Sequence, residues 1–412
     1  MENVFDVLKE RGFINQTSDD ERIREKMGRE QITCYIGFDP TADSLHVGSL
    51  VPIMALAHLQ RHGHNVICVL GAGTAMVGDP SGKTEMRKML TREQIDKNGE
   101  CFKKQFSRYI SFNGERGMMV NNADWLLPLN YIEFLRDIGP HFSVNRMLTF
   151  ESVKLRLEKG LSFLEFNYML LQAYDFYHLF KNNNCTFQMG GDDQWGNIIA
   201  GIELIRRKLQ GNAYCVTFPL LTTSSGYKFG KTEKGAVWLD AHKTSPYDFY
   251  QYWVNADDKD VVRYLKLFTF LPIEEINRLG ALKGAEINKA KRVLAYEITK
   301  INHGEEEAEK AREAARGIFG GGDLAVSDDA KMPTMEISSG DIERGIPAAE
   351  LFQKTGLTSS KAEAKRLIKQ GGAYLNQRRI MNIDEIITEA EIVEGTFFLR
   401  KGKKRYFRII VR

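Results

Sequence analysis

Short β-rich runs alternate with longer segments of helical period through the first half of this chain. Positions 32–38 are strand-like, 50–61 helical and closed by Gly63, and 66–70 strand-like again before a Gly-rich loop; further strand candidates lie at 117–121, 186–189 and 215–218. Strands and helices in alternation assemble into a doubly wound parallel sheet with helices on both faces. In such a sheet ligands bind beyond the carboxyl ends of the strands, so the loops there are expected to hold the chemistry.

At 412 residues the chain is long enough for two or three domains, each with its own core. The expected fold class is α/β. A Rossmann-like nucleotide-binding domain covers 1–244, with a helical insertion near 123–158, where aromatics are frequent and strand signals weak. An all-helical domain follows over 245–318, with Ser245 as N-cap ahead of Pro246. Gly320, Gly321, Gly322, Pro333 and several Ser and Asp residues mark 319–345 as a linker. Residues 346–412 read as a small α+β domain, in which Ser360 caps a helix reaching about Gln370, Gly371 ends it, and a β-like run 373–376 follows.

Net charge is only +3, but it is unevenly spread: 346–412 carry 14 Lys+Arg against 7 Asp+Glu, leaving 43 against 47 in 1–345. A basic tail on a mildly acidic body suits an anionic polymer, and on charge alone suits a solvated face equally well. On the tail helix Lys361, Lys365 and Lys369 stack at four-residue spacing with Arg366 alongside, while Ala364 and Leu367 occupy the opposite arc. No run of about 18 apolar residues exists and the N-terminus is of mixed charge, so neither a membrane span nor a secretion signal is expected. Cys34, Cys68, Cys101, Cys185 and Cys215 are scattered and odd in number, as reduced thiols in a cytosolic protein are. No Cys or His pair has zinc spacing, so no structural metal is expected.

Two loops and one helix carry the chemistry. The loop 37–49 joins a strand to a helix, and a helix starting near Gly48 aims unpaired amides and its positive dipole end at any phosphate there. Gly48 lets a nucleotide approach the backbone, and His46 is a donor to a phosphoryl oxygen; a turn capped by Ser49 fits the same residues. Lys228-Phe229-Gly230-Lys231-Thr232, after Thr222-Thr223-Ser224-Ser225-Gly226, has the makings of a mobile cationic clamp. Taken singly it also fits a loop whose lysines serve solubility. On a helix, Tyr168, Gln172 and Asp175 fall at i, i+4, i+7 and share one face, and Phe166, Leu170 and Phe176 beside them imply partial burial.

His46-Val47-Gly48-Ser49 and Lys228-Phe229-Gly230-Lys231-Thr232, in this order, resemble the two signature motifs of class I aminoacyl-tRNA synthetases. The runs from Tyr35 to Thr41, Gly78 to Lys83, Tyr168 to Asp175 and Gly190 to Asn197 are similar to those of the tyrosine-specific members, and the tail resembles the small RNA-binding domain that bacterial-type members share with a ribosomal small-subunit protein. The resemblance spans essentially the whole chain. It implies that Tyr35 and Asp175 bind the phenolic hydroxyl of tyrosine, that Asp79, Tyr168 and Gln172 hold its ammonium group, and that Gln194 lies near its carboxylate. It places Asp193 and the Gly191 backbone at the ribose, with Gly37, Asp39, Gly48, His46 and Lys231 around the rest of ATP. Thr41, His46, Ser49, Lys228, Lys231 and Thr232 would stabilise charge on the reacting phosphates. It further implies L-tyrosine, ATP with Mg2+ and tRNA-Tyr as substrates, no tightly bound cofactor or structural metal, tRNA contacts by Lys361, Lys365, Arg366 and Lys369, and a cytoplasmic homodimer joined through 123–158.

Two positions depart from the pattern. Ser49 stands where the first signature usually closes with a second histidine, and Asp192 replaces a small hydroxyl residue, for which the sequence offers no account. Two rival readings fit the residues less well. A synthetase for another aromatic amino acid has no use for Tyr35 with Asp175, and a non-catalytic RNA-binding protein has no use for both signature lysines.

Overall fold

The computed structural model describes residues 2–81, 90–114, 116–158, 160–224, 226, 229–232, 235–319, 333–376, 378–392, 395–402 and 405–412. Among them the main sheet has six strands, β1 (Gln16–Thr17), β2 (Thr33–Phe38), β3 (Asn65–Leu70), β4 (Gly117–Asn121), β5 (Phe187–Gly191) and β6 (Tyr214–Phe218), in the order β1-β6-β5-β2-β3-β4. All neighbours are parallel except β1, which runs against β6. After β2 the chain builds outward through β3 and β4, then returns to the other side of β2 to place β5 and β6. The strand order therefore reverses between β2 and β5, and a crevice opens beyond their carboxyl ends.

Local sequence explains the pieces. β6 is buried along its whole length because helices cover both faces. The helix Leu50–Arg61 is apolar on nearly every side and lies buried against the sheet and the helix Val261–Phe268. The long helix Phe163–Asn183 begins with a capping box, in which Ser162 accepts from the Glu165 amide and the Glu165 carboxylate bonds back, and it ends at Asn184 with φ of 50°. Between β4 and this helix, the short helices of the insertion pack Ile138, Met147 and Val153 onto Met169, Leu170 and Ala173.

Ser245 caps the helix Pro246–Val254 by accepting from the Asp248 amide. The helices that follow share the core of the sheet. Phe229, just before β7 (Lys231–Thr232) and its hairpin partner β8 (Gly235–Ala236), stacks on Phe268 at 5.4 Å, and Phe249 and Trp253 belong to the same buried cluster as Phe218. Position 244/245 thus marks a change from mixed to helical chain within one unit, 1–315.

Residues 316–412 form a second unit. Its strands are β9 (Thr334–Ile337), β10 (Ile346–Pro347), β11 (Ala373–Leu375), β12 (Arg378–Arg379), β13 (Ile386–Ile387), β14 (Thr396–Lys401) and β15 (Arg405–Val411), with a five-stranded sheet β12-β11-β14-β15-β9 and a separate β10–β13 pair. The stretch read as a linker is corrected here. Residues 320–332, with the three glycines, lie outside the described residues, but β9 is a parallel sheet strand on β15 and Ser339–Glu343 is a helix capped by Ser338. A four-residue strand whose partner among the described residues is 74 residues away leaves no local pattern to read. The helix Lys361–Lys369 is capped by Ser360 and followed by Gly371 at φ 68°. Its buried arc is Ala364 and Ile368, with Leu367 half-buried.

Candidate active site

The crevice at the β2–β5 reversal is a cleft of about 310 Å³, reaching from Tyr35 and Asp175 at its floor to Leu45, Gly48 and Ser49 at its mouth. Tyr35 comes from β2, fully buried, its ring edge-to-face on Phe176 at 5.4 Å. Its hydroxyl has no hydrogen-bond partner among the described residues, and neither does the buried Gln188 Oε1 from β5. A buried polar group without a partner costs about 1–3 kcal/mol, which a ligand that bonds to it recovers.

Asp175 reaches the same cleft from the helix Phe163–Asn183. Asn122 Nδ2 donates to one of its oxygens at 3.0 Å and Trp125 Nε1 to the other at 2.7 Å. Burial nevertheless pushes this carboxyl up to about 7, because two neutral donors do not replace lost water. On the same helix face the Tyr168 hydroxyl donates to Asp39 Oδ2 at 3.2 Å, and the Thr74 hydroxyl donates to Asp39 Oδ1 at 2.9 Å. Gln172 accepts from Asn197 Nδ2 at 3.2 Å; the same amide reaches Gln194 Oε1 at 3.1 Å, and Gln194 Nε2 donates to Asp79 at 2.8 Å. These bonds make two networks along the helix face, one linking Tyr168 through Asp39, Thr74 and Asn122 to Asp175, the other linking Gln172 through Asn197 and Gln194 to Asp79.

At the end of β5, a Cβ on Gly191 would lie 2.6 Å from an Asp193 oxygen and 3.2 Å from exposed Leu220. Gly37 faces open space, whereas a Cβ on Gly71 would collide with Asp39 at 2.2 Å. Asp192 serves a different purpose: its carboxylate accepts from the Thr217 hydroxyl at 2.9 Å and Gln16 Nε2 at 2.7 Å, tying the loop to β6 and β1.

The signature turn differs from expectation in two ways. Ser49 makes no side-chain cap; the cap is His46, whose Nδ1 accepts from the Gly48 amide at 3.0 Å. The space above Gly48 is filled by that imidazole, since a Cβ there would lie 2.7 Å from Cε1 of the ring. Thr41 is exposed in the turn after β2. Lys228 and the side chains of Lys231 and Thr232 lie outside the described residues, as do Gly82 and Lys83. The backbone still brings the two signatures together: Gly230, at φ 80°, packs so closely that a Cβ would meet Val47 at 2.8 Å and the Gly48 amide at 3.3 Å. In the second unit, Lys361 pairs with Glu350 at 2.7 Å and Lys365 with Asp384 at 2.9 Å, while Arg366 and Lys369 are exposed.

Asn122, Trp125, Thr74, Gln188 and Gly71 escaped the sequence reading, and Asn197 entered it only as the end of a resembling run. They come from separate loops, strands and helices, and the single residues carry no spacing signal. All five cysteines are free thiols, and among the described residues no cluster of His, Cys, Asp or Glu is placed to hold a metal ion.

Residues 26–320 match the family described as tRNA synthetases class I (W and Y), and 325–409 match the tyrosine–tRNA ligase SYY-like C-terminal domain. Over 411 residues, all of both chains, the sequence is 57% identical to a tyrosine–tRNA ligase of Clostridium botulinum (strain Loch Maree). It is 56% identical to that of Syntrophus aciditrophicus, covering the whole of this chain and 99% of the other. Among solved structures, a C-terminally truncated mitochondrial tyrosyl-tRNA synthetase of Aspergillus nidulans superposes with a TM-score of 0.70 at 33% identity, over 77% of this chain and 95% of that one. The tyrosyl-tRNA synthetase of Archaeoglobus fulgidus shares the fold, with a TM-score of 0.56 at 17% identity over 75% and 99%. With family matches across both units and relatives of this identity over the full length, the chain belongs to the tyrosyl-tRNA synthetases of class I.

Proposed function

We propose that the β2–β5 cleft seats tyrosine with its phenol between Tyr35 and Asp175 and ATP across its mouth. The reaction of the family is ligation of tyrosine to tRNA in two steps: the tyrosine carboxylate attacks the α-phosphate of ATP and releases pyrophosphate, then the tyrosyl group passes to the terminal adenosine of tRNA-Tyr. A carboxylate needs no general base, so the protein's tasks are positioning and stabilisation of charge. Asp79, Tyr168 and Gln172 hold the α-ammonium, and Gln194 lies by the carboxylate. Asp193 and the Gly191 backbone receive the ribose, with Gly37, Asp39 and Gly48 lining the path of the nucleotide. Asp39, Asp79, Asp175 and Asp193 make the cleft acidic, which suits an ammonium and hydroxyls but opposes a triphosphate. Cations at the mouth are therefore needed: Lys228 and Lys231, helped by Thr41, His46, Ser49 and Thr232, with ATP entering as its magnesium complex.

Outside the cleft, Lys361, Lys365, Arg366 and Lys369 are assigned to tRNA phosphates. A homodimer is supported by the exposed apolar side chains of the insertion and its border, Ile132 at 68% and Phe163 at 71% among them. A cytoplasmic location fits the reduced thiols, and no helix among the described residues is long and apolar enough to cross a membrane.

The observation that carries the reading is the orphaned Tyr35 hydroxyl in the same cleft as Asp175, a site built for a hydroxyl the protein does not supply. Pyrophosphate exchange driven by each amino acid in turn tests it. Tyrosine alone is expected to support exchange, and Lys231→Ala is expected to slow adenylate formation about 10²-fold while leaving tyrosine affinity intact. Equal exchange with phenylalanine or tryptophan, or none with tyrosine, would overturn it.

A further inference from the structure

Two extended segments, 45–47 and 237–239, join the histidine turn to the chain leaving the lysine loop. The Val47 amide donates to Val237 O and the Leu239 amide to Leu45 O, each at 2.9 Å, so that His46 and Trp238 face each other as an isolated antiparallel bridge. Directly opposed residues in such a pair project their side chains on the same side. The two rings accordingly meet edge-to-face, with centroids 6.2 Å apart and planes at 69°, within the favoured range for aromatic pairs. The indole has a second neighbour: Lys243 Nζ lies 5.0 Å from its centroid and is held by Asp43 at 2.6 Å.

An imidazole that accepts at Nδ1 carries its proton on Nε2. For His46 the Gly48 amide sets that tautomer. The bond from the Gly48 amide fixes one ring nitrogen, and the edge-to-face contact with Trp238 restrains the plane of the ring. Trp238 follows closely on the β7–β8 hairpin that carries Lys231. It belongs to neither signature motif.

We propose that Trp238 is a positioning residue for adenylate formation, holding the His46 imidazole so that Nε2–H faces the nucleotide. The proposal rests on the reading that His46 acts on ATP. Trp238 itself touches no substrate.

The test uses the full-length protein with Trp238→Leu, Trp238→Phe, His46→Ala and the double variant His46→Ala/Trp238→Leu, each in single-turnover adenylate formation. Trp238→Leu is expected to slow the chemical step about 10- to 100-fold with tyrosine affinity unchanged, because misplacement of one group costs rate rather than ground-state binding. Phenylalanine retains an aromatic edge and restores most of the rate. The double variant is no slower than His46→Ala, since both substitutions act through one ring. Nitrogen-15 spectra of His46 show the Nε2–H tautomer in the parent and a mixture in Trp238→Leu. Full additivity in the double variant, or an unchanged rate with an unchanged tautomer, would refute the role of Trp238. Wild-type adenylate formation by His46→Ala would instead refute the reading of His46, while the tautomer spectra still judge the ring contact. Should Trp238→Leu fail to fold, Trp238→Met takes its place.

Discussion

Both oxygens of the Asp175 carboxylate accept hydrogen bonds, from Asn122 and Trp125, yet burial lifts its pKa to about 7. Ionised, the group still has lone pairs for a phenol; protonated, it must turn an O–H among groups that are already donors. Tyrosine affinity is therefore expected to fall as pH drops through about 7, approaching roughly tenfold per pH unit below it. The sign for folding is opposite. A folded pKa above the unfolded value gives stability that is present at low pH and lost as pH rises through about 7, and tyrosine, binding the ionised form, offsets that loss. Fluorescence titration with tyrosine across this range checks the first statement: Asp175→Asn should flatten the profile, and a flat parent profile would sink it. Phenylalanine leaves the Tyr35 hydroxyl unpaired and brings Asp175 no hydroxyl beyond its Asn122 and Trp125 donors, and tyrosyl enzymes are themselves the standard illustration of discrimination by that means. Legibility at this scale followed helical spacing. Tyr168, Gln172 and Asp175 share a face that a 3.6-residue period foretells, whereas Asn122, Trp125 and Thr74 are linked to Asp175 and Asp39 only through contacts about 35 to 53 residues apart. Asp192, unexplained in the sequence, is explained by Gln16 and Thr217, far from it in the chain.

Strands β2, β3, β5 and β6 are legible because buried parallel strands are short apolar runs between breakers, and β4, at the sheet edge and only partly buried, by its short Met-Met-Val run; their ends differ from expectation by only a residue or two. The two-residue strands β1, β7 and β8 are not, since their pairing depends on chain brought near by the rest of the fold. The helix cap shows the same limit. Ser49 is the cap that residue type suggests, and the role goes to His46 because Val47–Ser49 already coil into a short turn ahead of the helix Leu50–Arg61. That turn fixes the role of Gly48. Gly48→Ala places a methyl group 2.7 Å from the His46 ring, so the imidazole must swing away and its bond to the amide must break. Adenylate formation is expected to slow about 10²-fold with tyrosine binding unchanged, because Tyr35 and Asp175 lie at the other end of the cleft. Stopped-flow fluorescence on the variant measures both quantities, and a wild-type rate would show that the imidazole position does not matter.

Every residue assigned to tyrosine or ATP lies between Tyr35 and Thr232, inside the unit that ends at Ala315 and has its own apolar core. The second unit has a separate core built on Leu351, Phe352, Phe397 and Leu399, and 346–412 hold an excess of seven basic residues. Charge asymmetry was legible from composition; the ion pairs that spend part of it were not, for Lys361 and Lys365 each face a carboxylate contributed by another element. Exposed pairs of this kind are worth little, typically about 0.2–1 kcal/mol, so phosphates can displace the carboxylates. Removing 316–412 is thus expected to leave a chain that unfolds cooperatively and exchanges pyrophosphate at close to the parent rate, while charging of tRNA falls and the remaining tRNA affinity depends less steeply on salt. Exchange and charging measured side by side on the truncated and full chains distinguish the cases. Loss of both activities would mean that the first unit needs the second to fold or to form its cleft, and undiminished charging would mean that the basic tail does not bind the tRNA being charged.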